Sequence, residues 1–299
     1  MHHRPITVVG VGLATAILAL AGCAGSTPSS GEQAGSPTVA ATDGSPLSLV
    51  VVGDSIPYGQ QFCAGCITFV DQYAAALKKQ SGRPVEATNR SRDDSATIPD
   101  IVEQLTSDDE LRDQLAKADV MMLSVGFNNV VPDLSQPPPG GFPKGCDTQE
   151  PGVPDPGIAL VVATTPECTS KTVALWAKAY DEIFSTMSDL RAGQPTAFIA
   201  LNVYNGNLNN PDVKAALDAA TYDKTLNVII DIYDQWNAML CKSAKAHGFT
   251  CVDTYHAMNG PDGDHPLGEL SSDGAHPSQS GNDLIAALLA KVDAGNVTS

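Results

Sequence analysis

The sequence predicts an α/β fold in which helices cover both faces of a parallel sheet. Two observations carry this. Short, β-branched apolar runs alternate five times with longer segments whose apolar residues recur at helical spacing. The runs are also nearly continuous rather than alternating in polarity, as expected of strands buried on both faces.

The elements follow in order. Leu47 to Gly53 (LSLVVVG) is the first strand. Residues 67–80 form a helix that stops at Ser81-Gly82. Pro84 to Thr88 is the second strand, and residues 97–117 make one or two helices, with Ser107-Asp-Asp-Glu110 resembling a capping box. Asp119 to Val125 is the third strand. A Pro- and Gly-rich loop then runs from Pro132 to Thr169. The remainder reads as a helix over 170–192, a strand over Thr196 to Val203, a helix over 222–247, a strand over Phe249 to Asp253, and a last helix over Ser278 to Val292.

Composition narrows the function. The chain has 299 residues, 42% of them hydrophobic and 17% charged, which suits a packed core. Its 17 basic residues against 34 acidic ones leave a net charge of −17. Nucleic acid needs a basic face, so it is excluded as a partner. Period-20-to-50 repeats are not apparent, which argues against a solenoid.

The N-terminus reads as an export signal. One arginine precedes a short apolar run from Ile6 to Ala21, too short for a comfortable membrane span. It ends in Leu20-Ala21-Gly22-Cys23, which resembles a bacterial lipobox and implies lipidation of Cys23. Residues 1–22 are expected to be a lipoprotein signal peptide and 23–46, rich in Ser, Thr, Gly and Pro, a flexible tether. The folded domain is expected over 47–295, monomeric, exported, and held by its lipid anchor on the outer face of the bacterial cell membrane. Six further cysteines, Cys63, Cys66, Cys146, Cys168, Cys241 and Cys251, suggest three disulfides in an oxidising compartment. Pairing of sequence neighbours is the simplest of the 15 connectivities that six cysteines allow. A redox or metal role for Cys63-Ala-Gly-Cys66 competes, but there is no second CxxC to complete a zinc site.

In parallel sheets, ligands bind beyond the carboxyl ends of the strands. The first strand ends in Gly53-Asp54-Ser55, where a serine on a sharp turn is exposed as a nucleophile. The third ends in Gly126-Phe127-Asn128-Asn129, where an Asn side chain can offer an oxyanion donor. An acid–base partner is expected late in the chain, and Asp-x-x-His occurs there three times: Asp253/His256, Asp262/His265 and Asp273/His276. Spacing alone does not choose among them. Asp273/His276 lies just before the last helix, with Pro277 and Ser278 as helix-start residues, which places it near the edge that carries Ser55. No metal or other cofactor is implied, since the histidines at 247, 256, 265 and 276 form no His-x-x-x-His pair and Asp262-Gly-Asp264 reads as a solvated loop.

Taken together, Gly53-Asp54-Ser55, Gly126-x-Asn128 and Asp273-x-x-His276 resemble the GDSL, or SGNH, hydrolases over residues 47–292. The resemblance implies a flavodoxin-like three-layer α/β/α sandwich on a five-stranded parallel sheet and cleavage of carboxylic esters. It implies Ser55 as nucleophile and oxyanion donor, His276 as base, Asp273 as its orienting partner and Asn128 as a second donor. Two departures stand out. Asn129 replaces the Asp that usually follows, and the stretch from Asn89 to Thr97 lacks the Gly whose N–H completes the hole. Ser95 is the better substitute donor there, because Asp94 would repel an oxyanion. Arg90 and Arg92 read as solvated loop charges. The expected substrates are lipid or acylated carbohydrate esters. A surface binding lipoprotein that keeps the fold without the chemistry is the alternative.

Overall fold

The structure, a computed structural model, describes residues 44–208 and 211–295. The expected signal peptide, most of the tether and Cys23 lie outside the described residues. Five strands form one parallel sheet in the order β2-β1-β3-β4-β5: β1 (Leu47–Gly53), β2 (Val85–Asn89), β3 (Val120–Ser124), β4 (Ala197–Leu201) and β5 (Thr250–Val252). All carboxyl ends therefore lie on one edge, with Gly53 in register with Ser124 and Leu201 with Val252. Gly53 is required there, because a Cβ would sit 2.2 Å from the Ser124 carbonyl oxygen.

The period of two along each strand splits the core into two layers. Val50, Val52, Met121, Leu123 and Ala200 face helices α3 (Ile98–Ser107), α4 (Asp109–Leu115), α6 (Pro166–Asp189) and α8 (Ala219–Ala246). Leu49, Val51, Val120, Met122, Ile199 and Leu201 face α2 (Phe69–Ser81) and α10 (Gln279–Leu289). This is the three-layer α/β/α arrangement that the alternating pattern predicts.

Cap chemistry sets the helix limits. Thr68 caps α2, which ends at Gly82 in the left-handed conformation. The capping box belongs to Thr97 and Asp100 at the start of α3. The second helix is capped by Asp108, not Ser107, whose hydroxyl bonds back to the Glu103 carbonyl instead. The expected loop over 132–169 is also corrected: it contains α5 (Pro156–Ala163) and the first turn of α6. Pro156 and Pro166 sit at first helical positions behind the caps Asp155 and Thr165, so prolines that read as loop residues start helices. Short helices α1 (Ser55–Tyr58), α7 (Pro211–Ala216) and α9 (Thr254–Asn259) complete the set of α-helices among the described residues.

The cysteines pair as sequence neighbours: Cys63–Cys66, Cys146–Cys168 and Cys241–Cys251. The second ties the long connection to the first turn of α6, and the third ties α8 to β5. No helix among the described residues is long and apolar enough to cross a membrane.

Candidate active site

The turn after β1 is built around Asp54, which is buried at the N-cap of α1. One carboxyl oxygen accepts from the Ile56 N–H (3.0 Å), and the other from the N–H groups of Gly126 (3.1 Å) and Phe127 (3.2 Å). A single side chain thus fastens the turn carrying Ser55 to the turn carrying Asn128. Burial pushes the Asp54 carboxyl up to about 6, against the pull of these N–H donors.

Ser55 opens α1 at the carboxyl edge of the sheet. Its Oγ lies 3.0 Å from His276 Nε2, and His276 Nδ1 lies 2.7 Å from Asp273 Oδ2. The other Asp273 oxygen accepts from the backbone N–H groups of Ala275 (2.9 Å) and His276 (2.7 Å). Burial raises the Asp273 carboxyl, but the bonds from the His276 ring and from these two N–H groups outweigh it and hold it below the ordinary carboxylate range. An ionised Asp273 fixes the tautomer with hydrogen on Nδ1, leaving the Nε2 lone pair for the serine proton.

The loop under His276 is held from several sides. The Tyr204 hydroxyl, beyond the end of β4, donates to the Ala275 carbonyl at 2.5 Å. The Ser271 hydroxyl (2.9 Å) and the Ser272 backbone N–H (3.0 Å) donate to the His276 carbonyl. Burial drives the Tyr204 phenol up, so it stays a donor. The Phe62 ring lies flat on the imidazole, with centroids 3.6 Å apart and planes within 3°. Both Tyr204 and Phe62 were missed from sequence: the position of Tyr204 just beyond a strand end could have marked it as a cleft residue, whereas no pattern in the sequence marks Phe62.

Two other Asp-x-x-His pairs remain apart from Ser55. His256 Nδ1 also meets Asp253 Oδ2 at 2.7 Å, but Asp253 is the N-cap of α9 and accepts from Asn202 Nδ2. His265 approaches Asp264, at 3.6 Å, rather than Asp262. Side-chain exposure separates the three: 15% for His276 against 45% for His256 and 68% for His265.

Oxyanion donors are the next requirement. The Asn128 amide donates to the Ala96 carbonyl (2.9 Å), which fixes its plane and leaves one N–H available. Ser95 is the one residue other than glycine with a positive φ (59°) among the described residues. It thus takes the conformation that glycine favours, in the stretch where the resemblance expects Gly. The neighbouring Asp94 is paired with Arg92 (2.5 Å), and Arg90 with Asp108 (2.5 Å), so neither arginine is a bare loop charge. Asn129, in place of the usual Asp, accepts the Ile98 N–H (2.8 Å) at the start of α3.

A groove of about 360 Å³ opens beside Asn128, with Phe127, Val131, Ile158, Val161 and Ile229 among its walls. Among the described residues no cluster of three or more His, Cys, Asp or Glu side chains is arranged to hold a metal ion.

The structure is thus an α/β sandwich with Ser55, His276 and Asp273 joined in one hydrogen-bonded chain at the carboxyl edge of its sheet. Residues 51–284 match the GDSL-like Lipase/Acylhydrolase family, and the chain belongs to it. Among solved structures, the lipase Lip_vut3 from a goat rumen metagenome has a TM-score of 0.57 at 16% identity, covering 81% of this chain and 95% of its own. An acetylxylan esterase from Geobacillus stearothermophilus has a TM-score of 0.49 at 16% identity, covering 84% and 97%. A comparison with curated protein sequences gives no match.

Proposed function

We propose that the protein hydrolyses carboxylic esters through an acyl-enzyme on Ser55. The observation that carries this reading is the continuous chain from Ser55 Oγ to His276 Nε2 and from His276 Nδ1 to Asp273 Oδ2. As the serine oxygen attacks the ester carbon, its proton passes to Nε2, and Asp273 stabilises the imidazolium that forms. The carbonyl oxygen becomes an oxyanion, received by the N–H groups of Ser55 and Ser95 and the amide of Asn128. The imidazolium then returns its proton to the departing alkoxide, and the alcohol leaves. Water repeats the sequence on the acyl-enzyme: His276 takes a water proton, hydroxide adds, and Ser55 is regenerated as the acid departs.

The leaving oxygen receives its proton from His276, so the alcohol lies on the His276 side. The acyl chain then runs the other way, past Asn128 into the groove, where Val131, Ile158, Val161 and Ile229 form an apolar wall beside the polar side chains of Asp133, Asp155 and Asn207. The apolar wall supports an aliphatic acyl group lying along it. We further propose that the domain is exported and lipid-anchored through Cys23, on the strength of the apolar segment and the lipobox-like ending.

p-Nitrophenyl esters of increasing chain length test the reading. Rates are expected to rise from acetyl to a medium chain, and Ser55→Ala is expected to remove turnover at every length. Unchanged turnover in Ser55→Ala overturns the proposal, and a sharp preference for acetyl overturns the assignment of the groove.

A further inference from the structure

Phe62 is the residue of the site that the reaction scheme above leaves without a role. It ends a 3₁₀ turn (Gln60–Phe62) that follows α1. The Cys63–Cys66 disulfide closes the next turn, where the Cys66 N–H also donates to the Cys63 carbonyl at 3.0 Å. Beyond it the chain is fastened to α10, with Ile67 N–H on the Gln279 side chain (2.9 Å) and Phe69 N–H on that of Asn282 (2.8 Å). Phe62 itself belongs to neither layer of the core. Its ring stacks on His276, and its carbonyl accepts from the hydroxyl of Ser272 at 3.0 Å, the residue whose backbone N–H donates to the His276 carbonyl. One residue therefore grips the histidine loop at both its ring and its backbone.

A ring flat against an imidazole holds the imidazole parallel to it, so the histidine keeps one ring plane. Asp273, bonded to Nδ1, then selects between the two flips of that ring, so Nε2 is aimed at Ser55. The face of a benzene ring also attracts a cation, and the imidazolium exists only while the proton is in transit. An interaction made only then lowers the barrier without tightening substrate binding.

We infer that Phe62 is a positioning residue for His276: it fixes the plane of the imidazole and stabilises the imidazolium against the Cys63–Cys66 loop. The inference rests on the proposed roles of Ser55 and His276.

The test compares ring-bearing and ringless side chains in the full domain on one p-nitrophenyl ester. Phe62→Leu is expected to lower kcat by about tenfold with KM unchanged, because the ring acts on His276 and its imidazolium and not on bound substrate. Phe62→Tyr is expected to keep kcat within about twofold of the parent, since the π face is retained. Labelling of Ser55 by a fluorophosphonate is expected to slow in Phe62→Leu by a similar factor, with the thermal midpoint little changed. Phe62→Met supplies the same ringless comparison if the leucine protein does not fold. The inference is overturned if ringless variants keep the parent kcat, if the tyrosine variant falls as far as they do, or if KM alone moves. A Ser55→Ala control separates this from the reading beneath it. Turnover surviving in that control sinks the catalytic reading itself. An inactive control beside a fully active Phe62→Leu sinks only the role of Phe62.

Discussion

At the scale of residues, the recurrence of Asp-x-x-His has a simple cause. When one oxygen of an Asp accepts the backbone N–H three residues on, its other oxygen falls beside the ring nitrogen of a histidine at that position. Asp253/His256 and Asp273/His276 both do this with Oδ2 to Nδ1 distances of 2.7 Å. The motif is therefore a cap geometry first, and what distinguishes His276 is the hydroxyl at its far nitrogen. Asp54 makes the sharper prediction. Its folded-state value of about 6 lies above the unfolded value of 3.8, so the native state binds this proton more tightly. Stability from this group is full below about pH 4 and is lost as pH rises to about 6, a change on the order of 3 kcal/mol. Thermal unfolding at pH 4, 5, 6 and 7 should show that decline in the parent and not in Asp54→Asn, which has no proton to lose. Parallel curves for the two proteins would remove the assignment.

At the scale of elements, the five strands were legible because β-branched apolar runs have few other uses. Leu47–Gly53 matches its expected bounds, and the others differ by one or two residues at their ends. Helices announced by apolar spacing were equally readable. The misses have a common origin in short or proline-led helices. Pro156-Gly-Ile-Ala-Leu-Val-Val-Ala163 is apolar nearly throughout, so it offers no polar face to give the helical period away. The six residues of α9 are too few to show a period at all, and only the Asp253 cap marks its start. Those missed elements matter: α5 supplies Ile158 and Val161 to the groove beside Asn128. The departures in the sequence also acquire physical sense at this scale. Ser95 adopts a glycine-like backbone, and Asn129 supplies the acceptor that α3 needs at its first N–H.

At the scale of the whole molecule, the sheet brings together residues from opposite ends of the chain. Ser55 follows β1, the inner strand between β2 and β3, and His276 arrives on the loop before α10, 221 positions later. The α2–α10 layer thus delivers His276, while α5 and α8 from the other side wall the groove. Ser55, His276 and the Asn128 turn were legible because they stand at strand ends or a helix start. The clamp by Phe62 was not, since a stacking partner fixed by a disulfide loop has no spacing rule. The proposed anchor also belongs to this scale: Cys23→Ser is expected to move the protein from the membrane fraction to the soluble one, and unchanged fractionation would contradict it. The most direct measurement for the central claim is intact-mass analysis after fluorophosphonate treatment, with the modified peptide sequenced. The parent and His256→Ala should each gain one adduct, on Ser55, while Ser55→Ala gains none and His276→Ala reacts at least about a thousandfold more slowly. An adduct on another residue, or full labelling in His276→Ala beside lost labelling in His256→Ala, would contradict the account.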